Sequence, residues 1–128
     1  METDYPLAYY QFFIHFNEGD YYTCHDLIEE IWMTDKQNLF LKGLLQLSVA
    51  IYHYEYGNVK GARLMFKRAF ECFEPYPRFY WGLDTVELST YARACLNTIP
   101  EKVDTVPFEE VCQLPSLPEI YLYLKEDV

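Results

Sequence analysis

The chain has 128 residues, of which 51% are apolar and 19% aromatic, and its formal net charge is −10. This length and composition predict one folded domain with a real core and exclude an intrinsically disordered chain. The negative charge argues against nucleic acid and anionic membranes as partners, because both are bound by basic surfaces, whereas a basic protein surface stays compatible with it.

The four cysteines include no C-x-x-C pair: Cys24, Cys72, Cys95 and Cys112. Three of them fall at helix positions where a small apolar residue would serve, which favours free thiols in a reducing compartment over a disulfide framework or a zinc site. The first residues, METDYP, lack the apolar stretch of a signal peptide. The longest apolar run, residues 39–56, is interrupted by three polar side chains and is too short for a membrane span. We therefore expect a soluble, cytoplasmic protein.

Hydrophobic spacing predicts helices in the first half of the chain. Thr3 or Asp4 can cap a first helix that has Pro6 in its opening turn and runs to about residue 17. Gly19 would stop it, and Asp20 would cap a second helix over residues 21–33. A third helix over about residues 36–56 is apolar almost all round, which predicts that it is the central and most buried element.

The second half is predicted to contain two more helices and an arm. The fourth helix, residues 59–73, follows Gly57 and an Asn58 cap, and the fifth is opened by Asp84 with Glu87 and runs to residue 99. No sheet is predicted in this body, residues 1–99. Residues 100–128 contain four prolines and predict an extended arm, packed on the body, with a short helical turn near Glu109. The whole chain is predicted to form a single all-α domain, a compact bundle of about five helices.

Two segments of the chain align without a gap, FNEGDYYTCHDLIEEIW and YEYGNVKGARLMFKRAF. In both, a glycine and a polar residue (Gly19 and Asp20, Gly57 and Asn58) precede a small residue and several bulky apolar ones. This order is typical of tetratricopeptide-like helical hairpins. The alternative is that any helix–glycine–helix junction has this pattern.

The ordered combination of FNEGDYYTCHDLIEEIW, FLKGLLQLSVAIYHYEYGNVKGARLMFKRA and YWGLDTVEL resembles a bacterial, archaeal and plastid-lineage family, domain of unknown function 309. The resemblance covers about the first ninety residues. It implies a compact helical fold and supplies no established activity. The residues that fall on the family's motif positions are His25, Glu29, Trp32, Gly43, Gln46, His53, Gly57, Asn58 and Gly61.

The second and third helices carry a candidate polar cluster of His25, Glu29, Trp32, Gln46 and His53. His25 and Glu29 are four residues apart and share one helix face. The preferred interpretation is a buried hydrogen-bond network, in which the Glu29 carboxylate lies between the two helices and fixes their register. The alternative is a metal or acid–base site of His25, Glu29 and His53, in a small metal-binding protein or hydrolase. No metal or cofactor is predicted, because the zinc-protease histidine pair and the carboxylate set of di-iron bundles are missing.

Two surface features are candidates for contact with other molecules. The aromatic loop residues Tyr76, Phe79, Tyr80 and Trp81 have interface composition, although the loop could instead pack back on the body. Two charged stripes have opposite sign: a basic one of Lys60, Arg63 and Lys67, and an acidic one of Glu18, Asp20, Asp26, Glu30 and Asp35. They predict solvated helix faces or, as the lesser alternative, a contact between two copies of the chain. The sequence favours a non-enzymatic helical module with a protein partner.

Overall fold

The computed structural model describes residues 5–125 and confirms the all-α class. Five α-helices form the body: α1 (Leu7–Asn17), α2 (Tyr21–Trp32), α3 (Leu39–Glu55), α4 (Val59–Phe73) and α5 (Thr85–Thr98). A two-residue hairpin, β1 (Phe79–Tyr80) and β2 (Leu83–Asp84), precedes α5, and a 3₁₀ helix, Phe108–Gln113, lies in the arm near the predicted turn. Within the described residues, no helix is both long and apolar enough to cross a membrane.

Helices α1 and α3 both begin later than predicted. Thr3 and Asp4 lie outside the described residues, and Pro6 stands just before α1. The third helix begins at Leu39, later than predicted, because Asn38 is its cap: the Asn38 side chain accepts the Leu41 N–H at 3.1 Å. Asparagine is preferred at this position because its side-chain oxygen satisfies a backbone N–H that has no partner within the helix.

The prediction that the body contains no sheet is wrong at the short hairpin. Phe79 pairs with Asp84 and Tyr80 with Leu83, in antiparallel register. Trp81 and Gly82, which connect the strands, both have positive φ, 49° and 74°. Two such residues in succession form the turn whose twist matches a two-stranded ribbon, and a glycine at the second position is what it favours.

Helix α3 lies at the centre of the bundle, as predicted, with ten of its 17 residues buried. It packs against α2 on one side and α4 on the other, while α1 packs on α2 and α5 on α4. The approach to α4 is close at Gly43, where an added Cβ would lie 2.6 Å from the Phe73 ring. A side chain at this position would therefore require the buried Phe73 ring of α4 to shift.

The two junctions that align in sequence also share local geometry. Gly19 and Gly57 have φ values of +82° and +85°, in the left-handed region that ends helices. Asp20 then accepts the Thr23 N–H at 3.2 Å, and Asn58 accepts the Gly61 N–H at 2.9 Å. The relation to tetratricopeptide hairpins stays a prediction.

The beginning of the arm is held by the N-terminal part of α4. The Arg63 guanidinium donates to the carbonyls of Pro100 at 2.6 Å and Val103 at 2.8 Å, and it pairs with the Asp104 carboxylate at 3.2 Å. The Lys60 N–H, which has no partner within the first turn of α4, donates to the Asp104 carbonyl at 2.9 Å. Arg63 is therefore a structural contact of the arm and not part of a solvated basic stripe.

Further along, the arm also contacts the C-terminal ends of α3 and α1. The Val106 N–H donates to the Gly57 carbonyl at 2.9 Å, and the Tyr54 hydroxyl donates to the Pro115 carbonyl. The Asn17 side chain makes two bonds with the backbone of Leu122, donating to its carbonyl at 2.9 Å and accepting its N–H at 2.8 Å. These contacts position the arm over the ends of α1 and α3.

Candidate functional site

His25 and Glu29 lie together on α2, but on its partly exposed side. His25 Nε2 is 3.4 Å from a Glu29 carboxylate oxygen, and His25 Nδ1 is 3.3 Å from the Asp26 carboxylate. The predicted burial of Glu29 is wrong, because 47% of its side chain is exposed. The buried face of α2 is made by Cys24, Ile28 and Ile31. His25 and Glu29 directly follow Cys24 and Ile28 in the sequence. They therefore lie at the edge of the buried face of α2.

The other members of the predicted cluster lie in different surroundings. His53 Nδ1 is 3.3 Å from the Asn58 side-chain amide, and burial lowers the pKa of this histidine. Because the amide nitrogen can only donate, His53 accepts this bond in its neutral form. The Gln46 side-chain oxygen accepts from the Cys72 thiol at 3.3 Å, whereas the buried Trp32 Nε1 has no hydrogen-bond partner in the described structure. The predicted single hydrogen-bond network is therefore wrong.

The predicted metal ligands His25, Glu29 and His53 do not come together at one site. Among residues 5–125, no group of three or more His, Cys, Asp or Glu side chains is arranged to hold a metal ion. The structure brings His25 and Glu29 together and pairs His53 with the cap of α4. The arrangement on α2 is a partly exposed contact between an imidazole and a carboxylate.

Two of the aromatic loop residues pack on the start of α3. The Tyr76 hydroxyl accepts the Leu39 N–H at 2.8 Å and so satisfies a free donor of the first turn of α3. The Tyr80 ring lies 5.1 Å from the Phe40 ring and 4.7 Å from that of Tyr76. Both residues are half-buried and contribute to the body.

The other two loop residues differ from each other in exposure. Trp81 packs edge-on against Tyr9 at 5.2 Å, and its carbonyl accepts the Tyr9 hydroxyl at 2.7 Å. Phe79 is 58% exposed, with the Arg78 guanidinium 5.2 Å from its ring centre. Of the four predicted contact residues, only Phe79 is largely free for a partner.

A surface that the sequence reasoning missed runs across α2, α3 and the arm. Four aromatic rings follow one another there: Tyr22 lies 5.5 Å from Tyr52, Tyr52 lies 4.6 Å from Tyr56, and Tyr56 stacks on Phe108 at 5.4 Å. Tyr22 is 59% exposed, Tyr56 56% and Phe108 64%. We call these four residues the aromatic ridge. The spacing of Tyr52 and Tyr56, four residues apart at the end of α3, was a signal for part of it.

A second missed feature is a cavity of about 350 Å³ beneath the arm, which we call the arm cavity. The α1–α2 junction, the last turn of α3, one residue of α5 and residues 117–121 of the arm surround it. Tyr21 lines this cavity, and burial together with the nearby Glu55 carboxylate raises its pKa to about 12. Burial also raises the pKa of Glu55 itself. No sequence pattern connects these residues, because they come from separate elements.

Comparison with known proteins supports the family predicted from the motifs. Residues 9–65 match the model of a domain of unknown function, DUF309. The chain is 29% identical to the uncharacterised protein YpuF of Bacillus subtilis (strain 168) over 117 residues, which are 87% of this chain and 65% of that protein. It is 27% identical to an uncharacterised protein of Aquifex aeolicus (strain VF5) over 85 residues, which are 64% of this chain and 26% of that protein.

The chain thus spans a little under two thirds of the Bacillus protein and about a quarter of the Aquifex protein. No solved structure is significantly similar to it. The predicted motif residues, from His25 to Gly61, all fall inside the matched range. The match to DUF309 covers residues 9–65, a little under half of this chain.

Proposed function

We propose that this chain is a protein-interaction module that binds its partner through the aromatic ridge and carries out no chemistry of its own. The observation that carries the proposal is the continuity of the ridge. Single exposed apolar residues are normal on any protein surface, whereas three largely exposed rings joined through a fourth form a contiguous patch. Tyr and Phe are the residue types that interfaces concentrate.

The secondary structure that carries the ridge residues also favours binding. Tyr22 belongs to α2, Tyr52 belongs to the buried central helix α3, and Tyr56 is the C-cap of α3, where its N–H bonds to the Tyr52 carbonyl, so their backbones are held in place. An aromatic side chain has only two rotatable bonds, and ordering it at an interface therefore costs little conformational entropy. Stacking on Tyr56 further restricts Phe108 in the arm. The ridge is pre-organised for contact.

Charge indicates the type of partner surface. Asp26 lies one helical turn after Tyr22 and is exposed, and Glu109 follows Phe108 in the chain. With a net charge of −10, the module would attract a partner whose apolar contact patch has a basic rim. We therefore expect binding to weaken as the salt concentration rises.

Site-specific photo-crosslinking in cells tests this proposal. The photoreactive residue p-benzoylphenylalanine would replace Tyr22, Tyr56 or Phe108 in turn, and Phe79 would serve as the matched control outside the ridge. We expect the three ridge positions to yield the same protein adduct and Phe79 to yield none. A specific adduct at Phe79 alone would show that the partner binds the loop and would contradict the proposal that it binds the aromatic ridge.

Binding measurements with the purified partner complete the test. Tyr56→Ala and Phe108→Ala should each weaken binding about tenfold or more, the typical effect of an interface aromatic, with little change in melting temperature because both rings are exposed. If the adduct is a second copy of this chain, sedimentation should show a dimer that the same substitutions dissociate. Unchanged affinity in both variants would refute the proposal.

A further inference from the structure

The arm cavity has aromatic walls contributed by four parts of the chain. Phe16 and Tyr21 stand at the α1–α2 junction, Tyr54 at the end of α3, Tyr91 on α5 and Tyr121 on the arm. The rings of Phe16 and Tyr21 meet edge-on, at 84° and 5.1 Å. At about 350 Å³, the cavity falls at the lower end of the range for small-ligand pockets, about 300–1,000 Å³.

The charge around the arm cavity has one sign. Three carboxylates line it, those of Glu18, Glu55 and Glu119, and none of its described lining residues is Lys, Arg or His. Within the described part of the chain, none of the three carboxylates forms an ion pair. Helices α1 and α3 also end at the cavity, and the C-terminus of a helix carries partial negative charge. The site therefore repels anions.

The ionisation states of the lining groups also favour a positively charged ligand over an anion. Glu55 is an exposed residue at the rim of the cavity, with no neighbouring cation among the described residues, and partial burial of its carboxylate raises its pKa. Burial, with a smaller contribution from Cys95, raises the pKa of Tyr91, so that its phenol stays neutral at physiological pH. The wall thus combines neutral aromatic side chains with a carboxylate that a positive charge would stabilise.

We infer that the arm cavity binds an organic cation, a protonated alkylamine, between its tyrosine rings and the Glu55 carboxylate. A ring attracts a cation through the negative potential of its face, and Glu55 supplies the full negative charge. A metal ion fits less well, because the described residues include no group of three metal-ligating side chains. The amine could be a free polyamine or a lysine side chain of a protein partner, since both present the same ammonium group.

Calorimetric titration of the full chain with n-butylammonium and with its neutral isostere n-butanol tests the charge requirement. We expect n-butylammonium to bind at least about tenfold more tightly than n-butanol, in line with a desolvated cation–π contact and an adjacent carboxylate. Equal affinity for the two probes, or no binding of the ammonium, would overturn the inference.

Variants locate the binding. Glu55→Gln and Tyr21→Leu should each weaken n-butylammonium binding about fivefold or more, while Tyr21→Phe keeps the ring and retains the affinity. Glu30→Gln is the matched control, because it removes an exposed carboxylate of α2 that does not line the cavity. If Glu30→Gln weakened binding as much as Glu55→Gln, the affinity would depend on the net charge of the protein and not on the cavity. That result would overturn the inference. Thermal melting of each variant shows that it is folded.

Two further probes separate the sources of the cation. Tighter binding of spermidine indicates a free polyamine, and tighter binding of N-acetyl-lysine methylamide indicates a partner's side chain; binding of neither refutes the site. The arm cavity shares no residue with the aromatic ridge. Tyr56→Ala should therefore leave n-butylammonium affinity unchanged, so that failure of one proposal does not entail failure of the other.

Discussion

Replacing Gly57 by alanine tests whether the arm is fixed to the body at the α3–α4 junction. Gly57 has a φ of +85°, and an added Cβ would lie only 2.2 Å from the Val106 carbonyl oxygen. Gly19, at the α1–α2 junction, has a φ of +82° and no atom within 4 Å of the corresponding Cβ position. The two substitutions therefore impose the same backbone strain, and only Gly57→Ala disturbs the arm.

The expected loss of stability follows from these contacts. A left-handed conformation costs an L-residue about 1–2 kcal/mol, which applies to both variants. In Gly57→Ala the Val106 carbonyl must also move by about 1 Å to reach an ordinary C···O separation of about 3.3 Å. This movement disrupts the bonds from Val106 N–H to the Gly57 carbonyl and from Lys60 N–H to the Asp104 carbonyl. At about 0.5–1.5 kcal/mol for each bond, Gly57→Ala should lose about 2–5 kcal/mol and Gly19→Ala about 1–2 kcal/mol.

Urea denaturation gives the free energy of unfolding of both variants, and amide hydrogen exchange reports on the arm. We expect the Val106 and Lys60 amides to exchange faster in Gly57→Ala and at the wild-type rate in Gly19→Ala. Equal losses of stability in the two variants, with both amides still protected, would refute the view that the arm is docked at Gly57.

Glu29→Ala and Glu29→Gln should each change the free energy of unfolding by less than about 0.5 kcal/mol, because the carboxylate is half-exposed; thermal melting checks this, and a clearly larger loss for alanine would indicate a buried group. DTNB should modify one thiol rapidly in the native protein, that of Cys112, because the other three are buried and burial raises the pKa of Cys24 to about 12; a second fast thiol would contradict the structure. Hydrogen bonds from Thr23 hold the pKa of the Asp20 carboxyl below its usual range. The ionised carboxylate therefore stabilises the fold above the unfolded-state pKa of Asp20, and this contribution is lost as the pH falls through the lower folded-state pKa. Asp20→Asn keeps a capping oxygen without the charge and should flatten the loss of stability below about pH 4, measured by melting at graded pH; an unchanged acid profile would argue against this role.

Local chemistry explains which parts of the fold could be predicted. Gly19 and Gly57 stop helices because a left-handed residue is favourable only without a Cβ, and Asp20 and Asn58 start helices because their side chains accept free backbone N–H groups. The late start of α3 follows the same rule, since the side chain that accepts a free N–H of the first turn of the helix, that of Leu41, belongs to Asn38. The hairpin around Trp81 was missed because strands of two residues have no periodicity to detect.

The candidate sites depended on information of another kind. The spacing of His25 and Glu29 correctly placed them on one face of α2, but whether that face is buried depends on the rotation of α2 against α3, which many side-chain contacts decide together. The aromatic ridge and the arm cavity each join three or more elements, and the path of the arm brings Phe108 and Tyr121 to them. Composition and periodicity thus determined the helices, their ends and the central position of α3. The assembly of those helices, and the docking of the arm at Arg63 and Asn17, decided which side chains meet, because contacts between residues far apart in sequence leave no local pattern to read.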